Sequence, residues 1–293
     1  MKSNNKISAI IVVWAVCSIM NLHAQSKHEF SISGFGGLSG LNYDVMEGSQ
    51  KSGFGGGGGL GYHYFFNEQW SVGTGVELAF FNAAYNSDGA DLRYMTKDKN
   101  DGVFEFRSKV GSYEEKQSAM LLQIPLMLQY QTGDRHQFYA ALGGKAGIPI
   151  AAKYKISAVA LQNAGQYDYE IYEYTTQQFM GFGTFNLPAS DDKLNFKTAF
   201  FLSAEIGGKF KLSDKHNLYV GVYLDYGLNN ILETQDLASL PPLVEYNSQN
   251  PSKYAVNSIL KSKSTEAFTE KLSPMAVGIK LRLAFGKGSV ERE

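Results

Sequence analysis

From Met120 to Tyr130 the chain reads MLLQIPLMLQY. Taken alternately, Leu122, Ile124, Leu126, Leu128 and Tyr130 share one face, while Gln123, Pro125, Met127 and Gln129 share the other. A period of two over this length predicts a strand rather than a helix. Thr132, Gly133, Asp134 and Arg135 form a turn, after which the alternation resumes. Phe138, Ala140, Leu142, Gly144, Ala146, Ile148 and Ile150 now oppose Tyr139, Ala141, Gly143, Lys145, Gly147 and Pro149. One face is continuously apolar; the other is small, aromatic or charged. Hairpin arms of about ten or more residues, apolar outward and polar inward, are what a membrane-spanning barrel needs.

The pattern recurs along the chain. A first strand is predicted from about Glu29 to Leu41 and a second from about Phe54 to Phe66, with the turn Asn67 to Gln69 leading into a third. There Val72, Thr74, Val76, Leu78 and Phe80 alternate with Gly73, Gly75, Glu77, Ala79 and Phe81. After the fourth and fifth strands just described, a sixth puts Phe200 to Leu212 against Ser203, Glu205, Gly207, Lys209 and Lys211. The turn Ser213 to His216 precedes a seventh (Leu218 to Gly227), and an eighth runs from Ala276 to Phe285. Long segments up to Gly53, from Asn86 to Lys116, from beyond Tyr154 to Asn195, and from Asn229 to Leu272 separate the hairpins. The expected fold is all-β, an eight-stranded antiparallel transmembrane β-barrel. It is an up-and-down meander with three short periplasmic turns and four long extracellular loops. A soluble sandwich would place charge on its outer faces. Here charge shares a face with glycine and the opposite face is oily, as contact with lipid requires.

Composition adds a location. Met1 to about Ala24 reads as a signal peptide: Lys2 and Lys6 before an apolar core, Ile7 to Met20, and a cleavage site at Leu22-His23-Ala24. Residues 25–293 are then a single barrel domain. Cys17 is the only cysteine, so an exported chain holds no disulfide, zinc-thiolate site or thiol nucleophile. No cofactor is implied. Without Lys2 and Lys6 the chain has 25 basic and 28 acidic residues, a net of -3, which does not favour a nucleic-acid partner. The 18 Tyr, 19 Phe and 31 Gly suit a barrel with interfacial aromatic girdles.

The stretch LLQIPLMLQY (residues 121–130), with proline inside an apolar strand before a short turn, resembles a signature of outer-membrane β-barrel proteins of Bacteroidetes, the PorT-like or outer membrane protein beta-barrel domain families. The Gly-rich opening strands and the terminal LRLAF are similar to that group as well. The resemblance implies the bacterial outer membrane as location and leaves activity open. Leu281 to Phe285 also resembles the C-terminal signal read by the barrel-assembly machinery, here followed by an eight-residue tail, Gly286 to Glu293.

Candidate chemistry lies on the inward face and in the loops. Glu77, Lys145, Glu205, Lys209, Asp225, Lys280 and Arg282 all point inward, and Glu77, Lys145, Glu205 and Asp225 sit at one depth counted from the turns. An eight-stranded barrel is just wide enough for side chains to fill. Charges there must pair, so a lumenal salt-bridge cluster that blocks free passage is expected, with inward glycines making room. Gly56 to Gly61 fits G-x-G-x-x-G, but with no helix after it the motif does not indicate a nucleotide. His136 and His216 fall in turns, His28 precedes the first strand and His63 lies near the turn end of the second. With no loop histidine, a catalytic triad is not expected at the outer rim. Tyr167, Tyr169, Tyr172 and Tyr174 suggest a recognition surface for a protein partner. The segment Asn229 to Leu272, with Pro241, Pro242 and Pro251, is expected to fold over the barrel mouth. Together these features suggest a non-enzymatic scaffold or interaction protein, the rival being a narrow or gated channel for small solutes.

Overall fold

A computed structural model describes residues 27–45, 48–132, 137–213, 215–233, 237–263 and 268–286. The expected signal segment, the turn residues Gly133 to His136, and the tail beyond Gly286 lie outside the described residues. Eight long strands form the body: β1 (His28–Tyr43), β2 (Phe54–Phe65), β3 (Trp70–Ser87), β4 (Tyr113–Gln131), β5 (Gln137–Ile156), β6 (Ala199–Ser213), β7 (His216–Gly227) and β8 (Leu272–Phe285). Each pairs antiparallel with its sequence neighbours. Closure comes from β1 against β8, in register from Phe30–Phe285 to Tyr43–Leu272. The ring has no free edge, so the ladders satisfy the backbone without water.

The alternation read from the sequence is the alternation of the walls. Leu126, Leu142, Ile206, Val222 and Ile279 are exposed on the outside, while Glu77, Gln123, Lys145, Ser203 and Lys280 are buried within. Towards the short turns the outer face carries an aromatic girdle. Tyr64 meets Phe66 at 5.7 Å between ring centroids, Trp70 meets Tyr130 at 5.0 Å, and Phe30 meets Tyr62 at 5.2 Å. Such rings settle at the boundary between hydrocarbon and headgroup. Glycine on the inner face makes space for larger neighbours. A Cβ at Gly59 would lie 2.7 Å from Glu77 Cγ, and one at Gly73 would lie 2.4 Å from His63 Nε2.

The long loops hold more order than their polar composition predicts. Ala90–Lys97, Val103–Val110 and Val159–Tyr167 form a second sheet, whose last strand also pairs with Glu173–Tyr174 and Gly183–Leu187. Its inner face, with Leu92, Phe104, Phe106, Val110, Leu161 and Tyr167, is buried. The segment between β7 and β8 supplies the other half of this core. Tyr246 packs 5.2 Å from Phe104 and 5.4 Å from Phe106, and its N–H donates to the Tyr94 hydroxyl at 2.8 Å. One apolar cluster runs from this cap down to Phe81, Leu121 and Phe201 in the upper barrel.

The lipid-facing face of β4 extends from Tyr130 to about Met120, which puts Leu126 (64% exposed) near the middle. Leu126→Arg should destabilise the barrel by about 2–4 kcal/mol, the cost of a cation at the bilayer midplane. Urea unfolding in lipid vesicles is the measurement, with an unchanged midpoint the result that removes lipid from this face.

Candidate functional site: a closed lumen and its cap

The lumen is layered. At the turn end, Arg282 Nη2 donates to Gln129 Oε1 at 2.5 Å, Nη1 lies 2.7 Å from His63 Nε2, and the guanidinium carbon sits 3.9 Å from the Tyr219 ring centre. Glu29 accepts from the Tyr219 hydroxyl at 3.2 Å and from Asn217 at 3.4 Å. Lys209 donates to Gln131 Oε1 at 3.3 Å. Above this tier is an ion-pair network. Lys145 bridges Glu77 (2.9 Å) and Asp225 (3.0 Å), and Lys280 bridges Glu77 (2.7 Å) and Glu205 (2.5 Å). The Phe35 ring centre lies 5.8 Å from both ammonium nitrogens. Glu77 is therefore the shared acceptor that joins two pairs into one network. Among the buried residues of the lumen, Glu29, Glu77, Glu205 and Asp225 are balanced by Lys145, Lys209, Lys280 and Arg282. A neutral sum is what a narrow, weakly hydrated space demands.

Of the seven inward charges named from the sequence, the structure thus joins Glu77, Lys145, Glu205, Asp225 and Lys280 directly. Lys209 and Arg282 lie in the lower tier with uncharged partners at hydrogen-bond distance. Glu29, His63, Gln129 and Tyr219 belong to the same interior, and their inward parity was a signal available in the sequence. A cavity of about 30 Å3 lies among Ser31, His63, Glu77, Glu205, Lys280 and Arg282. That is room for about one water molecule. Over the network, Phe81 and Phe201 stack with centroids 6.0 Å apart, beside the fully buried Leu121.

At the mouth, Glu115 gathers a segment of the β7–β8 loop. Its carboxylate accepts from Ser258 Oγ (2.5 Å), the Ile259 N–H (3.0 Å), the Tyr113 hydroxyl (2.6 Å) and Gln117 Nε2 (2.9 Å). Ser258 in turn caps the short helix Ile259–Lys261, whose Ile259 and Leu260 are buried. Glu115 stands above the lipid-facing band, and burial pushes its carboxyl above the ordinary range, only partly offset by these four donors.

The tyrosine cluster divides. Tyr167 is 3% exposed and donates to Asp98 Oδ2 at 2.8 Å, so it is a core residue of the cap and not part of an accessible surface. The cause is parity: Val159, Leu161, Asn163 and Gly165 lead it along the inner face of the same strand. Tyr174 is half-buried and bonded to Glu170. Tyr169 and Tyr172 are open, at 75% and 73% exposure, beside the exposed Ile171 and Phe179. Among the histidines, His28 lies 2.6 Å from the Tyr62 hydroxyl and His216 pairs with Ser213 Oγ in an exposed turn.

Comparison with known proteins gives this architecture a family. The profile of the "Outer membrane protein beta-barrel domain" matches residues 23–233, well over half of the chain. The chain belongs to this outer-membrane β-barrel family. The match ends before β8, the strand that closes the ring. No curated protein matches. Among solved structures, similarity is found to the outer membrane protein OprG from Pseudomonas aeruginosa: 15% identity, 89% of this chain and 97% of that one covered, TM-score 0.38. The translocator domain of the autotransporter NalP from Neisseria meningitidis is 10% identical over 96% of this chain and 95% of that one, with a TM-score of 0.24. The P. putida toluene transporter TodX is 8% identical over 89% and 90%, with a TM-score of 0.20. Overlaps this low add nothing to the assignment. As a member of the family, the barrel resides in the bacterial outer membrane, with its hydrophobic wall in the bilayer.

Two outcomes are expected of the interior. Glu77→Ala leaves Lys145 and Lys280 sharing two acids instead of three and should cost about 3–5 kcal/mol, read as a lower urea midpoint in vesicles. Adding Lys280→Met should cost less than the sum of the single changes, because the two sites are coupled. At the mouth, Glu115→Ala strands the Ser258 hydroxyl and the Ile259 N–H, at about 1–3 kcal/mol for each unmet donor, and hydrogen exchange in 255–262 should accelerate. Opening this contact returns Glu115 to its ordinary carboxylate range, so the closed form holds the proton more tightly. Intrinsic-rate-corrected protection of Ile259 should then rise as pH falls from neutral through the raised value, and flatten below the ordinary range. Glu115→Gln should abolish that pH dependence.

Proposed function

We propose that this protein is a non-enzymatic outer-membrane barrel whose lumen is plugged and whose work is done by the surface its loops build, as a membrane scaffold or as a component of an envelope complex. The observation that carries this reading is the stack of closures along one axis: the ion network on Glu77, the Phe81–Phe201 layer above it and the Tyr246 core of the cap. A path for solutes would have to break all three. Tyr169, Ile171, Tyr172 and Phe179, exposed on the loops, support a protein partner there, since aromatic side chains bind with little loss of conformational freedom. The narrower kinship to PorT-like barrels of Bacteroidetes, and a folding encounter with the barrel-assembly machinery through Leu281 to Phe285, rest on the sequence motifs alone. So does export through residues 1–24.

A gated channel for small solutes is the second reading. It is favoured by buried lumenal atoms that have no hydrogen-bond partner among the described residues: both amide atoms of Gln123, Asp225 Oδ1 and Ser203 Oγ. Planar-bilayer recording and liposome swelling separate the two. The purified barrel should give no large steady current and no solute-dependent swelling. Large steady channels would sink the plugged reading.

A further inference from the structure

Just above the lipid-facing band, the outer wall carries a shallow groove of about 390 Å3. Small residues form its floor, among them Ser52, Gly53, Ala84 and Ser118, and Lys51, Lys116, Lys153 and Lys155 surround it. The pairing register sets Lys116 directly opposite Lys155, and Lys153 directly opposite Lys193. Lys153 and Lys155 are two residues apart on β5 and so share the outer face. Lys51 approaches from the far side, opposite Ala84, which is in turn opposite Lys116. Four exposed lysines thus line one depression, and a fifth, Lys193, stands beside them opposite Lys153.

Like charges directly opposed across a ladder destabilise it, and here two such pairs adjoin. The acids nearby do little to relieve them. Glu114 holds Lys116 at 3.0 Å, Asp192 is engaged by Lys261 at 3.1 Å, and Asp191 lies opposite Lys155 without forming an ion pair. Lys51, Lys153, Lys155 and Lys193 form no ion pair among the described residues. One outward position lower, the same wall becomes oily, with Phe54 79%, Phe80 46% and Ile150 49% exposed. The groove therefore sits at the height of the headgroups of the outer leaflet, with hydrocarbon directly beneath.

We propose that this groove binds the phosphate-bearing headgroup of an outer-leaflet lipid, the acyl chains lying along Phe54, Phe80 and Ile150. Lysine binds phosphate as a compact point charge without a fixed fork, which suits a headgroup that can shift on a small-residue floor. The apolar wall below favours a lipid over a soluble anion, because it gives the rest of the molecule a surface to cover. The proposal does not depend on whether the lumen conducts.

The test uses the full barrel in phosphatidylcholine nanodiscs, with bisphosphorylated lipid A or its dephosphorylated form as probe, and native mass spectrometry to count retained lipid. Lipid A should be retained and its dephosphorylated form lost. Replacing the five lysines together (K51Q, K116Q, K153Q, K155Q and K193Q) should weaken retention by more than about tenfold, given the attraction that each basic residue supplies at an anionic surface. Heat-modified electrophoretic mobility shows whether that variant is folded, and Lys97, Lys99, Lys109, Lys253 and Lys271, five exposed lysines away from the groove, changed to Gln give a charge-matched control that should bind as the wild type. Inorganic phosphate in excess should not displace the lipid. Equal retention by the five-lysine variant, equal retention of the dephosphorylated form, or displacement by free phosphate would each overturn the proposal.

Discussion

Hydrocarbon offers a peptide group no hydrogen-bond partner, so a chain that crosses it in strands must close on itself. In this protein the β1–β8 ladder from Phe30–Phe285 to Tyr43–Leu272 performs that closure. Once the ring is shut, strand pleat sends alternate residues to two solvents. Leu126 and Ile279 meet lipid, while Gln123 and Lys280 are turned into a space only eight strands wide. The buried charges follow from the same constraint, since a narrow interior with polar walls has room for side chains and little room for water.

That interior gains specificity from how its charges are shared. Glu77 serves two lysines, Lys145 serves two acids, and Arg282 lies against the Tyr219 ring instead of a carboxylate. Buried pairs of this kind add little net stability, since desolvation consumes much of the Coulomb attraction, yet removing one member is costly. The network links β3, β5, β6, β7 and β8 around a common centre. Glycine takes part by absence: Gly59 and Gly73 leave the volume that Glu77 and His63 occupy.

The loops extend this logic into water. Above the bilayer the strands no longer need an oily exterior, and the apolar face turns inward, where Phe104, Phe106, Leu161, Phe182 and Tyr246 assemble a dry core. Glu115 is buried at the junction of the two regimes, held by donors from the mouth strand and from the distant loop. The cap and barrel are thus joined by apolar continuity and by the polar contacts gathered on Glu115.

The strand count, the short turns, the wall facing lipid and the inward parity of the charged residues were all legible from the sequence, because a period of two needs no knowledge of partners. Depth from the turns grouped Glu77, Lys145, Glu205 and Asp225, since strand rise is nearly constant, but a register shift between Lys211 and Ser213 sets Asp225 opposite Ser203, one inward position from Glu205. The bridging pattern was not legible, for it depends on which strands face each other across the lumen after closure. Nor was the burial of Tyr167, whose surroundings of Tyr, Gln and Asp read as a polar surface until Val103–Val110 and Tyr246 come to cover it. The opposed lysines on the outer wall came likewise from register: Lys116, Lys155 and Lys193 are far apart in the chain, and only the hydrogen-bonded ladders set them side by side. Alternation is local chemistry, whereas juxtaposition across a closed sheet is decided by the fold.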